Sequence, residues 1–112
     1  MIDELDRVDP VVRPMFGCHA IYVRDKIVLI LRHRKDFPSD NGVWMATARE
    51  HHHSLKLDFP SMRSISLFGK RETEWQNIPL DADDFEELVT KACKLVVKGD
   101  LRIGKIPNKK KK

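Results

Sequence analysis

No apolar run in the chain extends beyond Ile27–Leu31. A helix that crosses a bilayer needs about 20 apolar residues in succession, so no membrane segment is expected. The N-terminus, Met1-Ile2-Asp3-Glu4-Leu5-Asp6, is acidic and lacks the apolar stretch of a secretory signal. Cysteine is scarce: Cys18 and Cys93 stand far apart, and without an export signal both read as reduced thiols of a cytoplasmic protein. Glycine is sparse as well, and none of it forms a phosphate-cradling loop or a Gly-x-Ser-x-Gly elbow.

The 112 residues present suit a single domain large enough to bury a core without a disulfide or a metal. Trp44, Trp75, five Phe and regularly spaced Ile, Leu and Val argue against disorder throughout. The net charge is +4, from 21 basic and 17 acidic residues. Lys109–Lys112 supply the whole excess, so the body is neutral. A nucleic-acid reader usually carries its basic footprint on the fold itself. The expected organisation is one domain over 1–107 and a disordered lysine tail over 108–112.

Along the chain, Ile2, Leu5 and Val8 suggest a short helix ended by Pro10. The segment that Pro14 opens becomes strand-like from Met15. His19–Val23 and Lys26–Arg32 read as strands of a tight hairpin around Arg24-Asp25. After the loop His33–Asp40, Asn41-Gly42 turns the chain into a third strand, Val43–Ala46. Thr47-Ala48-Arg49-Glu50 fits a capping box for a helix running to about Asp58, which Pro60 then stops. Two further strands are expected at Ser64–Phe68 and Glu74–Ile78, with a turn at Gly69-Lys70-Arg71 between them. The clearest element is the last helix. Asp81 and Asp83 offer N-caps, Phe85, Leu88, Val89, Ala92, Leu95 and Val96 keep the helical period, and Gly99 is the C-cap. The order predicts an α+β fold. It has about five mostly antiparallel strands, helices packed on one face and a long C-terminal helix.

The run Arg13-Pro14-Met15-Phe16-Gly17, followed by Ala20-Ile21-Tyr22, resembles the opening strand of TfoX/Sxy-type N-terminal domains. Glu74-Trp75-Gln76-Asn77-Ile78-Pro79, followed by Phe85-Glu86-Glu87-Leu88, is similar to that family's later strand and helix. The likeness covers most of the body from Arg13 to Val97, and a remoter one extends to YjbR-type α+β proteins. It implies a bacterial regulator associated with competence gene expression, acting through other proteins or at DNA, with no catalytic residues. The sequence departs from the pattern at Cys18-His19, over Asn41–Phe68, and in having no second domain. Met15 and Phe16 suit core packing, and Gly17 suits a bulge or a close backbone approach. As a surface, Arg13, Met15, Phe16 and Gly17 form a candidate interaction motif.

Residue types that carry chemistry are present but do not converge. His51-His52-His53 project about 100° apart on a helix and cannot meet on one ion, and no His pair has the three- or four-residue spacing of a helical zinc site. Cys18 and His19 are strand neighbours on opposite faces, badly placed to share a proton. Asp81, Asp83, Asp84, Glu86 and Glu87 are explained by capping and the helix dipole. Trp44 and Trp75 could stack bases, but strand positions favour core or cross-strand packing. Arg32, His33, Arg34 and Lys35 form the one basic concentration in the body, with Arg32, Arg34 and Lys35 as candidate phosphate contacts. The expectation is a non-enzymatic regulatory or interaction module that needs no metal or other cofactor. Its partner would be another protein, and it would act as a monomer or homodimer. One alternative is weak, nonspecific nucleic-acid binding by the basic loop and the lysine tail. The other is a small enzyme built on Cys18 and a histidine.

Overall fold

The computed structural model describes residues 5, 7–15, 17–36, 38–65 and 74–105. Among them, six strands form one antiparallel sheet in the order β1-β2-β3-β4-β6-β5. The strands are β1 Val11–Met15, β2 Cys18–Val23, β3 Lys26–Arg32, β4 Gly42–Met45, β5 Arg63–Ser64 and β6 Gln76–Pro79. The helices are α1 His52–Asp58 and α2 Phe85–Lys98.

The hairpin at Arg24-Asp25 forms as the sequence indicates, and Arg24 takes a positive φ of 57° to close it. The sixth strand, β1, is the one the sequence reading leaves out: that reading makes the chain strand-like only from Met15, whereas β1 begins at Val11, ahead of Pro14. It is an edge strand, the position where proline is tolerated. Pro14 pairs opposite His19. Met15 and Cys18 flank the hairpin turn, so alternation turns the backbone groups of Val12 and Pro14 away from β2.

A bulge sets what each face of the sheet carries. Ile21 is opposite Leu29, but Tyr22 is opposite Ile27, so Val28 is an extra residue in β3. Val28 and Leu29 therefore both join the core beneath the helices, together with Ile21, Val43, Met45 and Ile78. Leu55 of α1 and Leu88, Val89, Ala92, Cys93 and Val96 of α2 close over that face. Each large side chain buried there contributes about 1.5–3 kcal/mol. Ala20, Ile27, Ile30, Trp44, Ala46 and Ile65 form a second buried cluster on the opposite face. β3 is thus buried on both sides, which explains its unbroken apolar run.

Both expected helix starts differ from the sequence reading. The capping box at Thr47 does not form. Ala46 is held by Val28 (N to O, 3.0 Å) and by Gly104 (O to N, 2.6 Å). Thr47 is thereby drawn into the core, where its hydroxyl lies 3.4 Å from the carbonyl of Ala48. A 3-10 turn, Arg49–His51, comes first, and α1 begins only at His52. At α2 the flanking residue is Asp84 rather than Asp81 or Asp83, and its side chain makes no capping bond. Its carboxylate accepts instead from Ser61 Oγ at 3.0 Å. The end of α2 does follow expectation: Gly99 has φ 79°, with its N–H bonded to Val96 O and that of Asp100 to Leu95 O.

The expected helix over 1–8 falls mostly outside the described residues; Leu5, one of those described, is fully buried in the helix-side core. The expected turn at Gly69-Lys70-Arg71, most of the expected strand Ser64–Phe68 and the lysine tail also lie outside them.

Candidate functional site

β1 turns into β2 at Gly17, whose φ of 79° disfavours any residue with a side chain. A Cβ there would also run into Nη1 of Arg34. The tip of the first hairpin and the chain leaving β3 therefore touch. Gly17 of the proposed interaction motif and Arg34 of the proposed basic patch, separate in sequence, thus meet at one corner of the molecule.

Asn41 organises this corner. Its Oδ1 accepts from Arg32 Nη1 and from the backbone N–H of Arg34, both at 2.8 Å, and its Nδ2 donates to Arg34 O at 2.8 Å. Arg32 Nη2 also donates to Asp36 O at 2.8 Å. Arg32 is 3% exposed, so its guanidinium holds the loop rather than meeting solvent. Arg34 and Lys35 remain exposed. Arg34 Nε lies 3.0 Å from Asp36 Oδ1. That hydrogen bond, with the nearby charges of Arg34 and Arg32, holds the Asp36 carboxyl below its ordinary value.

Strand alternation places the corner's other groups. His19, Leu31, Val43 and Ile78 lie in one row across four strands, on the helix side of the sheet. Phe85, the first residue of α2, packs against that core with Leu31, and both are only partly buried. Between them lies a groove of about 330 Å³, with Leu31, Val43, Leu80 and Phe85 as apolar lining and His19 and His33 at its rim. Gly17 and Arg32 contribute to the same groove. Leu80, at the end of β6, is 43% exposed.

The remaining candidates fall elsewhere. Arg13 stacks over Tyr22, its Cζ 6.0 Å from the ring centroid, on the sheet face opposite the groove. The side chains of Met15 and Phe16 lie outside the described residues. Trp44 is buried, donates from Nε1 to Asp40 O at 2.8 Å, and packs against Trp75 with ring centroids 6.0 Å apart. Cys18 and Cys93 are buried and not joined by a disulfide. Cys18 belongs to the Trp44 cluster, while His19 faces the groove. His51 lies in the 3-10 turn, 3.6 Å from Glu50, and His52 Nε2 sits 2.9 Å from Glu74 O. No group of three or more His, Cys, Asp or Glu among the described residues could hold a metal ion.

Sequence reasoning missed Leu31, Val43, Leu80 and Phe85 as a lining, because each belongs to a different element. The burial of Arg32 had one legible signal. It shares strand parity with Ile30, inside a strand apolar on both faces.

The fold and this corner define an α+β protein built on one antiparallel sheet, with a groove where the sheet meets the start of α2. The chain matches no family model, no curated protein and no solved structure. No helix among the described residues is long and apolar enough to cross a membrane.

Proposed function

We propose that this chain is a non-enzymatic interaction module, of the regulatory kind that its likeness to TfoX/Sxy-type N-terminal domains implies, and that the corner groove is its working surface. One observation carries the reading: Gly17 of the first hairpin, His33 beyond β3 and Phe85 of α2 line a single apolar groove left open to solvent. Open apolar surface rimmed by polar groups is the usual mark of an interaction site. Two residues of the stretches behind the resemblance, Gly17 and Phe85, line it. Arg13–Gly17 runs through β1 into the turn, Gln76–Pro79 is β6, and Phe85–Leu88 opens α2.

Nucleic-acid binding is the weaker reading, because Arg32 is engaged within the fold and Arg34 shares its charge with Asp36. A photo-crosslinking residue placed at Leu80, and as a control at the more exposed Leu101, tests the proposal in the full chain. A discrete adduct from position 80 alone, formed again from the two purified proteins, is expected. No adduct, or equal adducts from both positions, overturns it. Salt-resistant binding of the full chain to short duplex DNA, lost in the Arg34→Ala/Lys35→Ala variant, would move the function to nucleic acid.

A further inference from the structure

A second groove, of about 520 Å³, adjoins the first. It is lined by Ala82, Asp83, Glu86 and Glu87, and it shares Leu80 and Phe85 with its neighbour. The two meet along those apolar side chains, at the start of α2.

The charges at the two ends are opposite. At the far end of the first groove stand His33 and, over Gly17, Arg34, both exposed. Arg32 and Arg34 share the one carboxylate of Asp36, so this end keeps a net positive charge. Around the second groove Asp83, Glu86 and Glu87 are exposed. The helix dipole accounts for acidic residues at this terminus. It does not account for an apolar crossing left open between an acidic end and a basic one.

We propose that the paired grooves dock an extended segment of a partner protein. In that segment an apolar side chain, seated against Leu80 and Phe85, has acidic residues on one side and basic residues on the other. The acidic arm lies toward His33 and Arg34, and the basic arm toward Asp83 and Glu86. Burial of the apolar residue supplies attraction, and the charges select the partner and its direction. A segment charged with one sign throughout meets repulsion at one end. This inference rests on the interaction-module reading above and adds the chemistry of the partner.

The test is an amide-resolved NMR titration of the full chain at low salt with three synthetic peptides: Asp-Asp-Gly-Phe-Gly-Lys-Lys, its all-acidic counterpart with Asp in place of Lys, and its all-basic counterpart with Lys in place of Asp. The mixed peptide is expected to bind about fivefold tighter than either control, since exposed charge pairs are individually weak. The largest shifts should fall at His33, Leu80 and Glu86. In the Glu86→Lys/Glu87→Lys variant, whose changes are at exposed positions, the all-acidic peptide should become the best binder. Equal binding of all three peptides, shifts centred elsewhere, or no change of preference in the variant overturns the proposal. Where the Leu80 adduct forms but the peptides are not discriminated, the charge assignment falls and the interaction-module reading stands. Where neither is seen, both fall.

Discussion

Arg32 and Asn41, nine positions apart, are joined by a buried 2.8 Å hydrogen bond from the guanidinium to the side-chain carbonyl. Asn41 spends its other side-chain bonds on the backbone of Arg34, so one amide fixes both the buried cation and the loop that follows it. Removing either partner leaves the other one buried hydrogen bond short. Asn41→Ala is expected to cost about 3 kcal/mol, and Arg32→Ala a similar amount. The double variant should lose much less than the sum. Urea unfolding of the four proteins measures the coupling, and simple additivity would show that the pair does not hold the corner. Arg34→Ala or Lys35→Ala, at exposed positions, should change stability by no more than about 0.5 kcal/mol.

Three glycines with positive φ should rank by what surrounds them. Gly99 has open space about it, so Gly99→Ala costs only the left-handed strain, about 1 kcal/mol. At Gly17 a Cβ displaces the flexible end of Arg34, so Gly17→Ala costs somewhat more, and less again in an Arg34→Ala background. At Gly42 a Cβ meets the backbone carbonyl of Ile78, with Asn77 Oδ1 at 2.6 Å and Leu80 N at 2.9 Å, and the two backbone groups cannot swing aside. Gly42→Ala should cost roughly 3 kcal/mol or more. Thermal melts of the single variants give the order, and a Gly42→Ala protein as stable as Gly99→Ala would contradict the geometry.

Acid should weaken the protein through named ion pairs. A hydrogen bond from the Arg102 guanidinium, the largest cause, holds the Asp100 carboxyl below its ordinary value. The Lys105 ammonium does the same to Glu74. A carboxyl depressed in the folded state stabilises above its unfolded value, near pH 4, and that contribution is lost as pH falls through the folded value. Wild type should therefore be more stable than Asp100→Asn at pH 7, with the gap closing below about pH 4. Chemical denaturation across pH 3–7 shows this as converging curves. A gap that stays constant would mean that the pair is not coupled to folding.

β1 protects an edge. Its outward-facing positions are Val12 and Pro14, Pro10 immediately precedes the strand, and Val12 is 52% exposed. Proline has no N–H to offer an incoming strand, so a second chain would find one donor where it needs a row of them. Pro14→Val restores the next donor on an apolar edge. The variant should self-associate at lower concentration and scatter light sooner on warming than wild type. Identical scattering curves would show that the prolines do not guard the edge.

Much of the fold is legible in short stretches. Arg24-Asp25 between two β-branched runs marks the β2–β3 hairpin, and the period from Phe85 to Val96, closed by Gly99, marks α2. Such signals are local, because turn chemistry and helical period depend on neighbours a few residues away. The failures share a different cause. Thr47 has a capping sequence, but Ala46 is claimed by Val28 and Gly104, residues far off in the chain. The segment reads as strand-like only from Met15, and that the strand already begins at Val11, ahead of Pro14, follows from its place at the sheet edge.

The candidate site shows the same division. The sequence by itself determined that the chain is an α+β domain with a neutral body, since residue type and backbone period suffice for both. Only the tertiary structure decided that Arg32 is spent inside while Lys35 stays outside, and that Gly17, Leu31, Leu80 and Phe85 share one groove. The reason is physical. A groove is a gap between elements, and its lining depends on strand register, on the bulge at Val28 and on where α2 comes to rest, all of which are settled by packing between residues distant in sequence.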